Sequence, residues 1–125
     1  MCGIFGVVAS KSAIDTFSKQ LIRDLFVLSE SRGKEAAGIA LVDADDIHVH
    51  KVAMPASKML KSDVYQQLMT QYFDKLNQGD QPIAVIGHSR LVTNGMQMTH
   101  TNNQPVIAAE MIGIHNGIIV NDNSI

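Results

Sequence analysis

The sequence has a single cysteine, no excess of positive charge and no long apolar run, and each shortage excludes something. One cysteine cannot form an internal disulfide, so Cys2 is either a small buried hydrophobe or a reactive thiol. A net charge of -2 offers no basic surface of the kind that nucleic acid demands. The longest apolar stretches, Ile83 to Ile86 and Ile118 to Val120, are far too short for a membrane span, so no integral membrane protein is expected. Met1 to Ser10 has no positively charged leader and only a short hydrophobic run, which makes a poor secretory signal and leaves a cytoplasmic location as the expectation. There is no repeat, low-complexity tract or linker. With 125 residues, 46% of them hydrophobic, a single soluble folding unit follows.

What is present reads as alternating strands and helices. Gly3 to Ala9 is nearly continuously apolar, which predicts a strand buried on both faces. Ser12-Ala-Ile-Asp15 makes a capping box, and Ile14, Phe17, Leu21, Leu25 and Leu28 then recur every three or four residues, predicting an amphipathic helix that ends near Ser31-Arg-Gly33. Ala36 to Val42 and Ile47 to Val52 read as a hairpin around the acidic turn Asp43-Ala-Asp-Asp46. Beyond Pro55, Val64, Leu68, Tyr72 and Leu76 mark a second helix, which Gly79-Asp-Gln-Pro82 terminates. Ile83 to Ile86 and Met111 to Ile114 read as further buried strands, separated by a loop rich in Thr, Asn and Gln from Thr93 to Gln104 that can reach a polar ligand. No closing element follows Asn121-Asp-Asn-Ser-Ile125, so a truncated domain is expected.

Four segments carry chemistry, and each also has a plain structural reading. Trimming of Met1 would expose the α-amine of Cys2, placing nucleophile and base on one residue. A thiol of reference pKa about 8.5 and an α-amine of about 7.7–8.0 exchange a proton readily near neutral pH. The alternative is a core cysteine on a strand. In Ser31-Arg-Gly-Lys-Glu-Ala-Ala-Gly-Ile39, Gly33 suits a helix C-cap and Arg32 a solvated cation at the helix end. In Gly87-His-Ser-Arg-Leu-Val-Thr-Asn-Gly95, Arg90 either lies on the surface or grips a carboxylate with its bidentate fork. In His115-Asn-Gly117, a side-chain amide and a glycine N–H can form an oxyanion hole, while Asn-Gly is also the favoured type I′ turn joining Met111–Ile114 to Ile118–Val120. Both can hold at once. His48 and His50 alternate on one strand, but no third ligand at metal-site spacing accompanies them, so they read as exposed strand histidines and no metal is expected.

Taken in order, the Cys-Gly-Ile start, Arg32-Gly-Lys-Glu-Ala-Ala-Gly38, Gly87-His-Ser-Arg90 with nearby Thr93, and His115-Asn-Gly117 resemble the class II glutamine amidotransferases. The glutaminase domain of that family is an N-terminal nucleophile hydrolase. Asn94 stands where the sugar-amine synthases have His, and Leu91 where they have Trp. Gln104-Pro105 is similar to the amidophosphoribosyltransferases, whereas Ile114 to Asn121 is similar to the fructose-6-phosphate aminotransferases.

The resemblance implies an α+β fold, a four-layer αββα sandwich of which residues 1–125 supply the N-terminal portion, with Cys2 at the end of a central strand. It further implies Cys2 as nucleophile, Asn116 and Gly117 as oxyanion donors, and Arg90 with Thr93, beside Asn94, as the grip on L-glutamine. The aspartate that holds the substrate amine in the family is expected beyond Ile125, because Asp122 is too near the Asn-Gly pair. No cofactor is implied. The ammonia acceptor would belong to a synthase domain absent from these residues, and self-association stays open. Two rivals remain: an N-terminal nucleophile hydrolase of another amide, and a non-catalytic domain with a role in assembly.

Overall fold

Asp43 organises the turn between two strands. Its Oδ1 accepts the N–H groups of Asp45 and Asp46, each at 2.9 Å, and its own N–H donates to Asp46 O at 3.1 Å. This Asx-type closure joins β2 (Ala36–Val42) to β3 (Ile47–Val52) in the predicted hairpin, paired from Val42↔Ile47 to Ala37↔Val52. The computed structural model describes residues 1–10, 19–78, 82–92 and 103–117. The predicted capping box and the start of its helix, the terminator at 79–81, Thr93, Asn94 and Ile118–Val120 lie outside the described residues.

The hairpin belongs to an antiparallel sheet in the order β1-β4-β2-β3, completed by β1 (Gly3–Ala9) and β4 (Ile83–Arg90). Period-two alternation puts Ala37, Ile39, Leu41, Ile83 and Val85 on one face. There they pack with α1 (Lys19–Glu30), the short α2 (Ala56–Met59) and α3 (Asp63–Gln78). Phe5 and Phe26 meet edge to face, ring centroids 4.8 Å apart. A small hairpin, β5 (Val106–Ala108) with β6 (Met111–Gly113), completes the described α+β architecture. None of the described helices is long and apolar enough to cross a membrane.

Five expectations are corrected. β1 lies at the edge of the sheet among the described residues, not at its centre, and its Ile4 and Val8 are 46% and 79% exposed, so it is buried on one face only. An apolar run reports that a strand can be buried, not that both faces have partners. The buried stripe of α1 is Ile22, Phe26 and Ser29, while Leu21 and Leu28 are exposed and Leu25 half-buried. Two apolar stripes at equal spacing run side by side on this helix, and packing selects the one that carries Phe26. α3 is shifted likewise: Tyr65, Met69, Tyr72, Phe73 and Leu76 are buried, Val64 is exposed and Leu68 half-buried. Met111–Gly113 is an exposed strand rather than a buried one, and it pairs backward with β5 through a turn in which Ala109 has φ 52. His48 and His50 are half-buried, not exposed.

Candidate functional site

β1 presents Cys2 immediately before its first residue. A Cβ on Gly3 would overlap the backbone carbonyl of Ser29, so glycine permits the strand to begin this close to the end of α1. α1 closes there, with Arg32 N–H donating to Ser29 O and Gly33 N–H to Glu30 O, which supports the helix-end reading of this segment. The buried hydroxyls of Ser29 and Ser89 lie 2.7 Å apart, tying α1 to β4.

Asn116 reaches Cys2 across 114 positions of sequence. The Cys2 N–H donates to Asn116 Oδ1 at 2.9 Å, and the Cys2 thiol donates to Leu91 O at 3.6 Å. Leu91 directly follows β4, so three of the motif segments converge on one half-buried cysteine. Because Asn116 Oδ1 is occupied by Cys2, the donors of the same amide, on Nδ2, are the part directed elsewhere. Next to the pair, an open cleft of about 370 Å³ runs between β1 and α1, lined by Cys2, Asn116, Ile4, Leu25, Leu28 and Arg32 among others. Arg32 is its charged side chain. The sequence had offered Arg32 only as a helix-end cation, and its adjacency to Gly33 in the motif was the available signal for a place beside Cys2.

Arg90 occupies a different position. It is 6% exposed, and Nη1 donates to Asn103 Oδ1 at 2.7 Å, while Lys51 Nζ donates to the Asn103 carbonyl at 3.1 Å. Arg90 is therefore one residue from the carbonyl that meets Cys2, with its guanidinium held beneath residue 103 instead of lining the described cleft. Gly117 is exposed and stands beside the His115 ring. Cys2 and Asn116 are thus brought together, Gly117 follows Asn116 in the chain, Arg90 is near but turned to Asn103, and Thr93 and Asn94 lie outside the described residues.

His88 is buried in β4 at 1% exposure. Burial first, and the Arg90 charge second, push its imidazole down to about 4, against the polarity of the His115 backbone, which favours the protonated ring. No cluster of three or more His, Cys, Asp or Glu side chains suited to a metal ion occurs among the described residues.

No family model matches the sequence, and no solved structure matches it. Curated proteins do. The chain is 34% identical over 128 residues to the amidophosphoribosyltransferase of Synechocystis sp., a match that covers 99% of this chain and 22% of that protein. It is 31% identical over 129 residues to the amidophosphoribosyltransferase of Methanocaldococcus jannaschii, covering 100% of this chain and 24% of that protein. It is also 31% identical over 126 residues to the isomerizing glutamine–fructose-6-phosphate aminotransferase of Chlamydia trachomatis, covering 97% and 17%. The chain is a relative of the class II glutamine amidotransferases, as its motifs indicate. It spans less than a quarter of the length of these relatives.

Proposed function

We propose that the chain is the glutaminase part of a glutamine amidotransferase, built on one portion of a four-layer αββα sandwich and using Cys2 as nucleophile. The observation that carries this is the 2.9 Å contact between the Cys2 nitrogen and Asn116 Oδ1. After removal of Met1, that nitrogen becomes an α-amine that can donate one N–H to Asn116 and still accept the thiol proton. Asn116 then aligns the base with its own Oδ1 and offers Nδ2 to the reacting oxygen.

The chemistry proceeds in two halves. Cys2 Sγ forms a bond to the glutamine side-chain carbonyl carbon as the α-amine takes the thiol proton, and the oxyanion is held by Asn116 Nδ2 and the Gly117 N–H. Collapse breaks the C–N bond, the ammonium returns its proton to the departing nitrogen, and ammonia leaves. Water then attacks the γ-glutamyl thioester, the amine accepts its proton, and cleavage of the S–C bond restores the thiol and releases glutamate. Arg90, with Thr93 and Asn94, grips the substrate carboxylate. No metal or other cofactor takes part. The ammonia passes to an acceptor such as a sugar phosphate on a synthase domain of the same protein.

A second reading has its own support: Arg90 is bonded to Asn103 and does not line the described cleft, as suits an N-terminal nucleophile hydrolase of an amide lacking an α-carboxylate. Assays with glutamine and with simple amides decide between them. Glutamate release that is lost in Cys2→Ala supports the glutaminase, whereas equal hydrolysis of amides without an α-carboxylate supports the alternative.

A further inference from the structure

His88 sits under the segment that carries Asn116. In the sheet register it is the partner of Ile4 on β1 and of Gly38 on β2, near the end of β4 that lies beside Cys2. Ser89 faces α1 through Ser29, so alternation directs His88 to the opposite face, together with Arg90. Over that face lies the segment beginning at Asn103. Gly38 has no Cβ because one would overlap the Gln104 carbonyl, which places the backbone of Gln104 directly on β2.

Two side chains meet the segment at His115. Gln104 Oε1 accepts the His115 N–H, and the buried His88 imidazole faces the His115 backbone, whose polarity favours the protonated ring against the larger effect of burial. His88 Nε2 is buried with no hydrogen-bond partner among the described residues, which leaves Nδ1 as the nitrogen available to His115. A buried ring nitrogen without a partner costs free energy, so a histidine kept here calls for a role. The next residue along is Asn116, whose Oδ1 holds the Cys2 nitrogen.

We infer that His88 is a positioning residue for the oxyanion-binding amide: by holding the backbone of His115 against the sheet, it sets where Asn116 points. The inference rests on the glutaminase reading for its catalytic consequence but not for its geometry. Among the described residues, the charged and titratable groups on this face are Arg90 on the same strand, Lys51 opposite Gly38 on β3, and His115 itself. Of these, His115 is the one that moves with Asn116.

The test compares His88→Leu, His88→Asn, Asn116→Ala and the His88→Leu/Asn116→Ala double variant in the full chain. Folding is followed by thermal melting, glutamine hydrolysis by kcat and KM, and the Asn116 side-chain amide by its NMR resonance. His88→Leu should lower kcat about tenfold to a hundredfold with KM little changed, since small displacements of reacting groups have effects of that size. His88→Asn, which keeps a donor near Nδ1, should restore most of it. The double variant should be no slower than Asn116→Ala alone. The Asn116 resonance should shift in His88→Leu and return in His88→Asn. Wild-type-like kcat in a folded His88→Leu, equal impairment in the Leu and Asn variants, or additive losses in the double variant would overturn the proposal. If the wild-type chain releases no glutamate, the glutaminase reading fails, while the Asn116 resonance still decides the role of His88: displacement supports it and an unmoved signal refutes it.

Discussion

Arg90 and Asn103 are joined by a 2.7 Å bond from Nη1 to Oδ1, and both residues are buried. This contact pins the start of the segment leading to Asn116 onto the end of β4, one residue before the Leu91 carbonyl that receives the Cys2 thiol. Asn103→Ala should cost about 1–3 kcal/mol in urea unfolding, as expected for an interior bond to a charged donor. A loss within error would show that Arg90 is held by other groups.

Arg90→Lys separates the structural role from the substrate role. A lysine supplies a point charge without the bidentate fork, so KM for glutamine should rise more than kcat falls. Steady-state kinetics on protein confirmed folded by circular dichroism measures this. Unchanged kcat/KM would remove Arg90 from the proposed carboxylate grip.

The rotation of α1 yields a contrast between neighbours. Phe26, at 0% exposure and in edge contact with Phe5, should cost about 3–5 kcal/mol as Phe26→Ala. Leu28, at 70% exposure, should cost under about 0.5 kcal/mol as Leu28→Ala. Chemical denaturation of both variants gives the comparison, and similar losses would contradict the helix face described above.

These cases also show what was readable from sequence. The β2–β3 hairpin was legible with its boundaries, because the Asp43 turn and both strand patterns are local. The motif segments containing Cys2, Arg90 and Asn116 were legible as candidates, although the residues lie far apart in the chain. The rotation of α1 was not, since Leu21, Leu25 and Leu28 have the same spacing as Ile22, Phe26 and Ser29, and only the sheet distinguishes them. The edge position of β1 depends on pairing with β4, some 80 residues away, and the Arg90–Asn103 bond requires a loop to fold back over the sheet. Neither leaves a periodic mark in the sequence.

His88 predicts a pH dependence of stability. Its pKa falls from about 6.5 in an unfolded chain to about 4 in the fold, so the unfolded state binds more protons between those values. Stability is therefore greatest above about pH 6.5, declines as pH falls through this window, and ceases to change from this source below about pH 4, with a total loss of at most about 3 kcal/mol. Urea midpoints between pH 4 and 7 measure the slope. In His88→Asn the part of the slope due to His88 should vanish, and an unaltered profile would reject the assignment.

The central claim is that Cys2, once it is the N-terminal residue, attacks the amide while Asn116 holds its amine and the developing oxyanion. Asn116→Ala should lower kcat by roughly 10²–10³, the effect of losing one oxyanion donor. The most direct measurement pairs intact-mass analysis of residue 1 with glutamate release on the same samples, for the wild type and for Cys2→Ala. The account predicts that release tracks the fraction of molecules lacking Met1 and is absent in Cys2→Ala. Full turnover by molecules that all retain Met1, or by Cys2→Ala, would contradict it.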